Sequence, residues 1–234
     1  MEYKYSENGN FEDYASGRVL YSGSGVPNFP VRLLNEILGQ ALELCVKKED
    51  LTVYDPCCGG GYSLTVLGFF HGEQIKQLVG SDIDSEMVRI AQKNTALLTR
   101  EGLQSRKEEL EFLYKQYGKP SHLEALESLD RLGEKVPDTI QRHIFRADCT
   151  KELPIVAPDI IITEIPYGDL VSWEGGSKSP LSDMFESLSE IAQEHTVLAV
   201  SMDKKQKVET HSWRRMKKQV VGKRKFEIYV KEKE

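Results

Sequence analysis

The stretch Val53-Tyr-Asp55-Pro-Cys-Cys-Gly59-Gly60-Gly61-Tyr62-Ser63 decides the fold of this chain. It reads as an apolar strand that ends in an acid, followed by a glycine turn that opens a helix. Glycine has no Cβ, so the turn can take positive φ and lets a ligand approach the backbone closely. The free N–H groups at the start of the helix favour an anion. The stretch predicts a nucleotide-cofactor loop, and the alternative is a glycine turn without a ligand.

The spacing of these glycines narrows the class of cofactor. A dinucleotide loop needs G-x-G-x-x-G, whose third glycine would fall at Leu64. A phosphate-binding P-loop needs Gly-Lys-Ser/Thr, which the stretch lacks. Asp55, Gly59 and Gly61 instead form D-x-x-x-G-x-G, which is similar to the loop of class I S-adenosylmethionine-dependent methyltransferases. The resemblance implies that Asp55 accepts hydrogen bonds from the methionine ammonium of that cofactor.

Two further acids end predicted strands. Asp82 lies 23 residues after Gly59, close to the spacing of about 20 at which a carboxylate binds ribose hydroxyls in nucleotide-binding βαβ units. Asp148 matches the family position that bonds the adenine amino group, and a simple turn residue is the alternative. Asp84 is expected to cap the next helix. The cofactor-binding residues expected from the resemblance are Tyr21, Ser22, Asp55, Cys57, Gly59, Gly60, Gly61, Asp82, Ile83, Asp148 and Cys149.

A fourth strand, β-branched and apolar, stops at Glu164-Ile165-Pro166-Tyr167. This is similar to the Asp/Asn-Pro-Pro-Tyr signature of amino-group methyltransferases, in which the acid or amide bonds the target nitrogen and the aromatic ring stacks on the base. Glu164 replaces the usual Asp or Asn, and Ile165 replaces the first proline. A glutamate can orient the nitrogen or take the proton that a ring N–H or amino group loses. Glu164, Pro166 and Tyr167 are therefore candidate catalytic residues, and a plain turn at 166–167 is the alternative.

Nearly the whole sequence resembles the avilamycin-resistance family of ribosomal RNA methyltransferases. The matching stretches are Ala15–Ser22, Phe29–Arg32, Asp55–Gly68, Gly118–Ala125, Pro166–Gly168 and Trp173–Gly175. The resemblance implies methylation of a guanine in large-subunit (23S) ribosomal RNA, with S-adenosyl-L-methionine as donor, S-adenosyl-L-homocysteine as product and no metal. Antibiotic resistance would be a consequence of that methylation. Ring N1 and exocyclic N2 both stay open as the target atom.

The charge of the chain is segregated along the sequence. The net charge is −6, yet residues 204–225 contain ten Lys or Arg against one acid, Glu209. Such asymmetry indicates a phosphate-facing patch, and a solvated basic strand pair is the alternative. Trp173 and Trp213 can stack on unpaired bases or belong to the core. The candidate RNA-binding residues are Trp173, Lys204, Lys205, Lys207, Arg214, Arg215, Lys217, Lys218, Lys223 and Arg224.

The order of elements predicts an α/β, Rossmann-like fold with a mostly parallel sheet. The resemblance to class I methyltransferases implies seven strands, the last two of which form an antiparallel C-terminal hairpin. Helices are expected at 31–47, 62–70, 85–98 and 181–193, and the later strands at 141–147, 158–165, 196–202, 218–222 and 225–231. The ligand is expected at the carboxyl ends of the parallel strands.

Residues 1–30 form an aromatic N-terminal arm, which is expected to cover the cofactor or to help form the base pocket. One segment exceeds a minimal methyltransferase, an inserted helical hairpin at residues 100–141. The second helix of the insertion is expected to open with the capping box Ser121-His-Leu-Glu124. Its two packing stripes are expected at Leu110, Leu113, Tyr114 and Tyr117, and at Leu123, Leu126, Leu129 and Leu132.

Length and composition fit one domain that spans residues 1–234. The four cysteines show no metal-type Cys-x-x-Cys spacing, and no apolar run is long enough to span a bilayer. The polar N-terminus lacks the apolar segment of a signal peptide. These features predict a cytoplasmic protein without a membrane partner, and the resemblance implies that its partner is ribosomal RNA. The oligomeric state stays open, and a monomer fits.

Two other functions compete with RNA methylation. Amino-group signatures also serve protein methylation at a glutamine amide, although the basic segment argues against that substrate. A noncatalytic RNA-binding module that keeps a cofactor pocket is the second alternative. The intact Asp55, Asp82 and Asp148 weigh against this module, whereas the altered Glu164-Ile165 keeps it open.

Overall fold

One mixed sheet carries the site, and the computed structural model describes residues 2–23, 29–165, 173 and 177–232. The strands within these ranges are β1 (Leu51–Asp55), β2 (Ile75–Asp82), β3 (Gln141–Arg146), β4 (Ile160–Glu164), β5 (Val197–Asp203), β6 (Trp213–Val221) and β7 (Arg224–Lys231). Their spatial order is β3-β2-β1-β4-β5-β7-β6. Strands β1 to β5 are parallel, and β7 is antiparallel to both β5 and β6. The predicted α/β sheet with an antiparallel C-terminal hairpin is confirmed.

The strand order reverses between β1 and β4. From β1 the chain builds outward through β2 to β3, and it then returns to place β4 against the other side of β1. Ligands of open α/β sheets bind in the crevice at such a reversal, outside the carboxyl ends of the strands. The end of β1, Asp55, and the end of β4, Glu164, flank this crevice.

Helices cover both faces of the sheet. They are α1 (Val31–Leu44), α2 (Tyr62–His71), α3 (Ser85–Ala96), α4 (Arg100–Tyr117), α5 (Pro120–Gly133) and α6 (Pro180–Ile191). Successive residues of a strand point to opposite faces, so Val53 packs in the cluster that contains α1, α2 and α3 while Tyr54 packs in the cluster that contains α6. Because both faces are buried, the central strands are nearly continuous apolar runs.

Two predicted boundaries are wrong. Strand β6 begins at Trp213 rather than at 218, because an edge strand can carry exposed basic residues and needs no continuous apolar run. Trp213 itself lies in the core, where its indole N–H donates to the Phe185 carbonyl at 3.0 Å. Helix α5 begins at Pro120, with Lys119 at the N-cap, so Ser121 does not form the expected capping box. The fixed φ and missing N–H of proline suit the first helical position.

The inserted helical hairpin is present as α4 and α5, with Leu110, Leu129 and Leu132 buried as expected. Two other predicted packing residues are exposed, Tyr117 at 57% and Leu123 at 42%. Both lie near the turn that joins α4 to α5, at the exposed end of the hairpin. Among the described residues, no helix is both long enough and apolar enough to cross a membrane.

Candidate active site

The cofactor loop adopts the backbone that its glycines allow. Gly59 and Gly61 have φ of 51° and 71°, and Gly61 is the N-cap of α2. A Cβ on Gly61 would lie 2.8 Å from Cα of Ala91 in α3, whereas a Cβ on Gly59 would meet nothing within 4 Å. The left-handed conformation disfavours other residues at both positions, and close packing on α3 adds a second requirement at Gly61. The loop therefore presents bare backbone at the start of α2.

Asp55, at the end of β1, is buried at 4% exposure. Burial raises the pKa of its carboxyl group to about 7, against a lowering effect of the Cys57 amide, which donates to Oδ1 at 3.1 Å. Among the described residues, no cationic side chain forms an ion pair with Asp55. A buried carboxylate is normally paired with a cation. A ligand ammonium in the crevice would supply one.

Asp82, at the end of β2, is bonded to two backbone amides. The amide of Gly59 donates to Oδ2 at 2.8 Å, and the amide of Asp84 donates to Oδ1 at 2.9 Å. Asp82 therefore fixes the glycine loop relative to β2 and lies where a ribose-binding acid is expected. Asp84 caps α3 as predicted, because its Oδ1 accepts from the Glu86 amide at 2.7 Å.

The third acid, Asp148, follows β3 and bonds within its own turn. Oδ1 accepts from the amide of Thr150 at 3.0 Å and from its hydroxyl at 2.7 Å, while the Lys151 ammonium lies 2.8 Å from Oδ2. Burial works to raise the pKa of Asp148, but these partners outweigh it and leave the pKa lowered. The geometry is that of a turn residue at the correct edge of the sheet, so its contact with adenine stays a prediction.

Two thiols join the ends of β1 and β3. Sγ of Cys57 lies 3.3 Å from Sγ of Cys149. The contact with Cys149 and burial both raise the pKa of Cys57 well above its ordinary value, so its thiol is protonated at neutral pH. The contact joins the loops that follow β1 and β3 across the end of β2, on the α6 side of the sheet.

Asn94 of α3 is a site residue that sequence reasoning missed. Its side chain is fully buried and accepts from the Tyr21 amide at 2.7 Å. Its Nδ2 donates to the Tyr21 carbonyl at 3.0 Å and to the Gly60 carbonyl at 2.8 Å. Asn94 therefore ties the N-terminal arm to the glycine loop. A polar residue within the apolar stripe of Ile90 and Ala91 was the available signal.

The helical insertion holds the same arm from the other side. The buried Arg106 of α4 donates to the carbonyls of Val19 at 2.9 Å and Arg18 at 3.2 Å. Its guanidinium lies 4.3 Å from the ring of Tyr21, whose hydroxyl donates to Glu109 at 2.8 Å. The Tyr21 backbone thus borders the cofactor loop while its side chain bonds to α4. Ser22 follows with its side chain exposed.

Glu164, at the end of β4, lies on the opposite side of the crevice from Asp82. It lines one cleft together with Asp55, Ser63 and Phe29. Nη1 of Arg224 lies 3.2 Å from Oε1 of Glu164. The predicted catalytic residues Pro166 and Tyr167 lie outside the described residues.

Eight of the nine predicted basic RNA contacts fall into two groups, and Arg224, which pairs with Glu164, stands apart from both. Four have carboxylate partners along β6: Arg214 with Glu232, Arg215 and Lys218 with Glu227, and Lys217 with Glu43. Lys204, Lys205, Lys207 and Lys223 are exposed and form no ion pair among the described residues. The Lys204 amide donates to the Lys223 carbonyl at 3.2 Å, so this loop and the β6–β7 turn form one basic rim at the carboxyl edge. Arg224 belongs to the same turn, and Trp173 is partly buried against the α6 side of the core.

The sheet order, the glycine loop at the start of α2 and the acids at the ends of β1 and β2 define a class I methyltransferase. The chain belongs to the AviRa family of ribosomal RNA methyltransferases, because the family model described as rRNA methyltransferase AviRa matches residues 1–224. It is 38% identical over 206 residues to the 23S rRNA (guanine(2535)-N(1))-methyltransferase of Streptomyces viridochromogenes, covering 84% of this chain and 82% of that relative.

Solved structures agree with this assignment. The rRNA methyltransferase AviRa from Streptomyces viridochromogenes aligns with a TM-score of 0.85 and 34% identity, over 96% of this chain and 94% of that chain. TrmN from Thermus thermophilus aligns with a TM-score of 0.52 and 15% identity, over 84% of this chain and 48% of that chain. The second similarity shows the fold alone.

Proposed function

We propose that this protein transfers the methyl group of S-adenosyl-L-methionine to N1 of a guanine in 23S ribosomal RNA. The observation that carries the proposal is a single cleft lined by both Asp55, beside the cofactor loop, and Glu164, at the end of β4. The Streptomyces relative is named for guanine N1 of 23S rRNA. A ring N–H must lose its proton when N1 is methylated, and a carboxylate within reach is suited to accept it.

The described residues fit the cofactor. Asp55 is a buried carboxylate without a cationic partner among them, which suits the methionine ammonium, and the N-terminus of α2 suits the methionine carboxylate. Asp82 and Ile83 are assigned to the ribose and the adenine edge, and Cys57, Asp148 and Cys149 to the adenine side. When bound, the cofactor supplies an electrophilic methyl group on sulfonium, and S-adenosyl-L-homocysteine leaves as product.

The protein contributes position and a proton acceptor. Holding the target nitrogen in line with the methyl group can supply several kcal/mol of the barrier, and the two sides of the crevice fix the two reactants separately. Glu164 accepts the N1 proton. Tyr167 is assigned to stack on the base, as the sequence resemblance implies, and Pro166 belongs to the same signature.

RNA binding is assigned to the basic rim of Lys204, Lys205, Lys207 and Lys223, together with Trp173. The rim faces the same edge as Glu164, so phosphates beside the target guanine would contact it. A ribosomal RNA substrate places the protein in the cytoplasm.

The test is an assay with methyl-labelled cofactor and 23S RNA from cells that lack this modification. The RNA is digested to nucleosides, and the labelled nucleoside is identified. We expect N1-methylguanosine as the labelled product. Label on N2 would refute the assigned atom, and the absence of label despite measured cofactor binding would refute RNA methylation by this protein.

A further inference from the structure

We propose that Arg224 is a catalytic residue that donates hydrogen bonds to O6 of the target guanine while Glu164 accepts from N1–H. The inference rests on the proposed function and deepens it, because it assigns the recognition of the base. The sequence alone placed Arg224 among residues that bind RNA phosphates. Its surroundings differ from those of its basic neighbours.

Arg224 is directed at the cleft rather than at solvent. Its side chain is 23% exposed, whereas Lys223 beside it is exposed. Its guanidinium lies 3.2 Å from Oε1 of Glu164 and 5.6 Å from the ring centre of Phe29, and both of these residues line the cleft.

The backbone of Arg224 is fixed on two sides. As the first residue of β7 it pairs with Asp203 of β5 and with Val221 of β6. Gly222, with φ of 62°, makes the turn that brings the chain back to this position. The two strands thus fix the point from which the Arg224 side chain reaches the cleft, and a donor held in position is what a catalytic hydrogen bond requires.

The pair matches the edge of guanine. Along its Watson–Crick edge guanine presents an acceptor, O6, followed by two donors, N1–H and N2–H. A guanidinium carries only donors and a carboxylate only acceptors, and here the two lie side by side. Guanine can therefore replace the bond between Arg224 and Glu164 with bonds to each of them. Adenine presents a donor and then an acceptor, so both contacts would be repulsive, and such mismatches give specificity.

The same arrangement serves the reaction. The N1–H bond breaks and its proton goes to a carboxylate oxygen of Glu164. The N1 electron pair forms the bond to the methyl carbon, and the sulfur–methyl electron pair stays on sulfur as a neutral thioether. While N1 is losing its proton, negative charge is shared with O6, where the guanidinium stabilises it. Protonated Glu164 then returns its proton to water.

The test measures single-turnover methyl transfer to an RNA fragment that the wild-type protein methylates, at saturating RNA, for R224M, R224K and K223M. Removing one preorganised donor typically costs about 10²-fold in rate, so we expect a loss of that order in R224M and a smaller loss in R224K. The loss should shrink as pH rises, because guanine N1 then ionises without help from O6. The matched variant K223M should raise the RNA concentration needed for half-maximal rate instead.

The outcomes separate the possible roles. A raised RNA requirement with an unchanged saturated rate in R224M would show a phosphate contact and overturn the proposal. An equal loss at every pH would show that Arg224 only holds Glu164 in place, and would also overturn it. If R224M does not fold, R224K provides the same pH comparison. Failure of the wild-type protein to form N1-methylguanosine would refute the proposed function itself, which these variants do not test.

Discussion

The two sides of the crevice are held by different kinds of bond. On the cofactor side, polar side chains bond to backbone: Asp82 accepts from the Gly59 amide, and Asn94 joins Gly60 to Tyr21. On the target side, Glu164 and Arg224 bond through their charged side chains. Bonds to backbone keep one geometry with or without a ligand. Two charged side chains, in contrast, can give up their bond to each other and each bond to a base instead. The comparison teaches that fixed backbone bonds hold the glycine loop, whereas the Glu164–Arg224 pair can change partners, as the proposed recognition of guanine requires.

The largest expected effect is a loss of methyl transfer that leaves cofactor affinity unchanged. E164Q keeps the size of the side chain but removes its ability to accept a proton, so methyl transfer should fall by about 10²- to 10⁴-fold. Cofactor affinity, measured by calorimetry with S-adenosyl-L-homocysteine, should stay unchanged. An unchanged transfer rate would remove the proton-accepting role of Glu164, and a loss of cofactor affinity would show that the two sides are not independent.

On the cofactor side, a matched pair of glycine substitutions sharpens the comparison. Both G59A and G61A place a Cβ on left-handed backbone, which costs about 1–2 kcal/mol. Only in G61A does the Cβ also meet the backbone of α3, at 2.8 Å from Cα of Ala91. We therefore expect G61A to lose substantially more affinity for S-adenosyl-L-homocysteine than G59A. Equal losses of affinity in the two variants would mean that α3 can shift away from the added Cβ without a cost in free energy.

The raised pKa of Asp55 predicts that the affinity for the cofactor depends on pH. Below a pH of about 7 the buried carboxyl is mostly neutral in the unliganded protein, and a cofactor ammonium prefers the ionised form. Binding should therefore release a proton, and the Kd for S-adenosyl-L-homocysteine should rise by up to about tenfold per unit as pH falls from 7. D55N should bind more weakly and lose this slope. A slope that persists in D55N would assign the titration to another group.

The smallest expected effect concerns the basic residues on the target side. In the rim, the double variant K204M/K223M should raise the RNA concentration needed for half-maximal rate a few-fold. It should also lower the salt-dependence slope by roughly 1.4, at about 0.7 for each single-stranded phosphate contact. The matched double variant R214M/K217M removes residues that already have carboxylate partners. Its slope should stay at the wild-type value, and equal slopes for both variants would contradict the division into two groups.

The geometry of the glycine loop could be predicted because its signals are local in sequence. Asp55, Gly59 and Gly61 lie within seven residues, and Asp82 follows at a spacing that βαβ geometry fixes. The antiparallel hairpin was expected from the resemblance to class I methyltransferases, and the structure confirms it. The capping box at Ser121 failed because Pro120, one residue earlier, is a stronger helix start.

The contacts that could not be predicted join residues far apart in the sequence. Tyr21 and Asn94 are 73 residues apart, and Arg106 reaches Val19 over 87 residues. The nearby sequence predicts that Glu164 ends a strand and that Arg224 lies in a hairpin. It does not indicate that their side chains are in contact. A single sequence shows which residues carry charge, and the register of β5 with β7 decides which charges become neighbours.

The bonds around Tyr21 impose an order on the assembly of the protein as it is synthesised. Residues 19–21 leave the ribosome early, but their partners Asn94, Arg106 and Glu109 emerge only after more than seventy further residues have been added. Strand β4, which pairs with β1, comes later still, since it begins at Ile160. A nascent chain that is cut before α4 therefore has a complete glycine loop sequence but lacks the helix that holds the arm beside it.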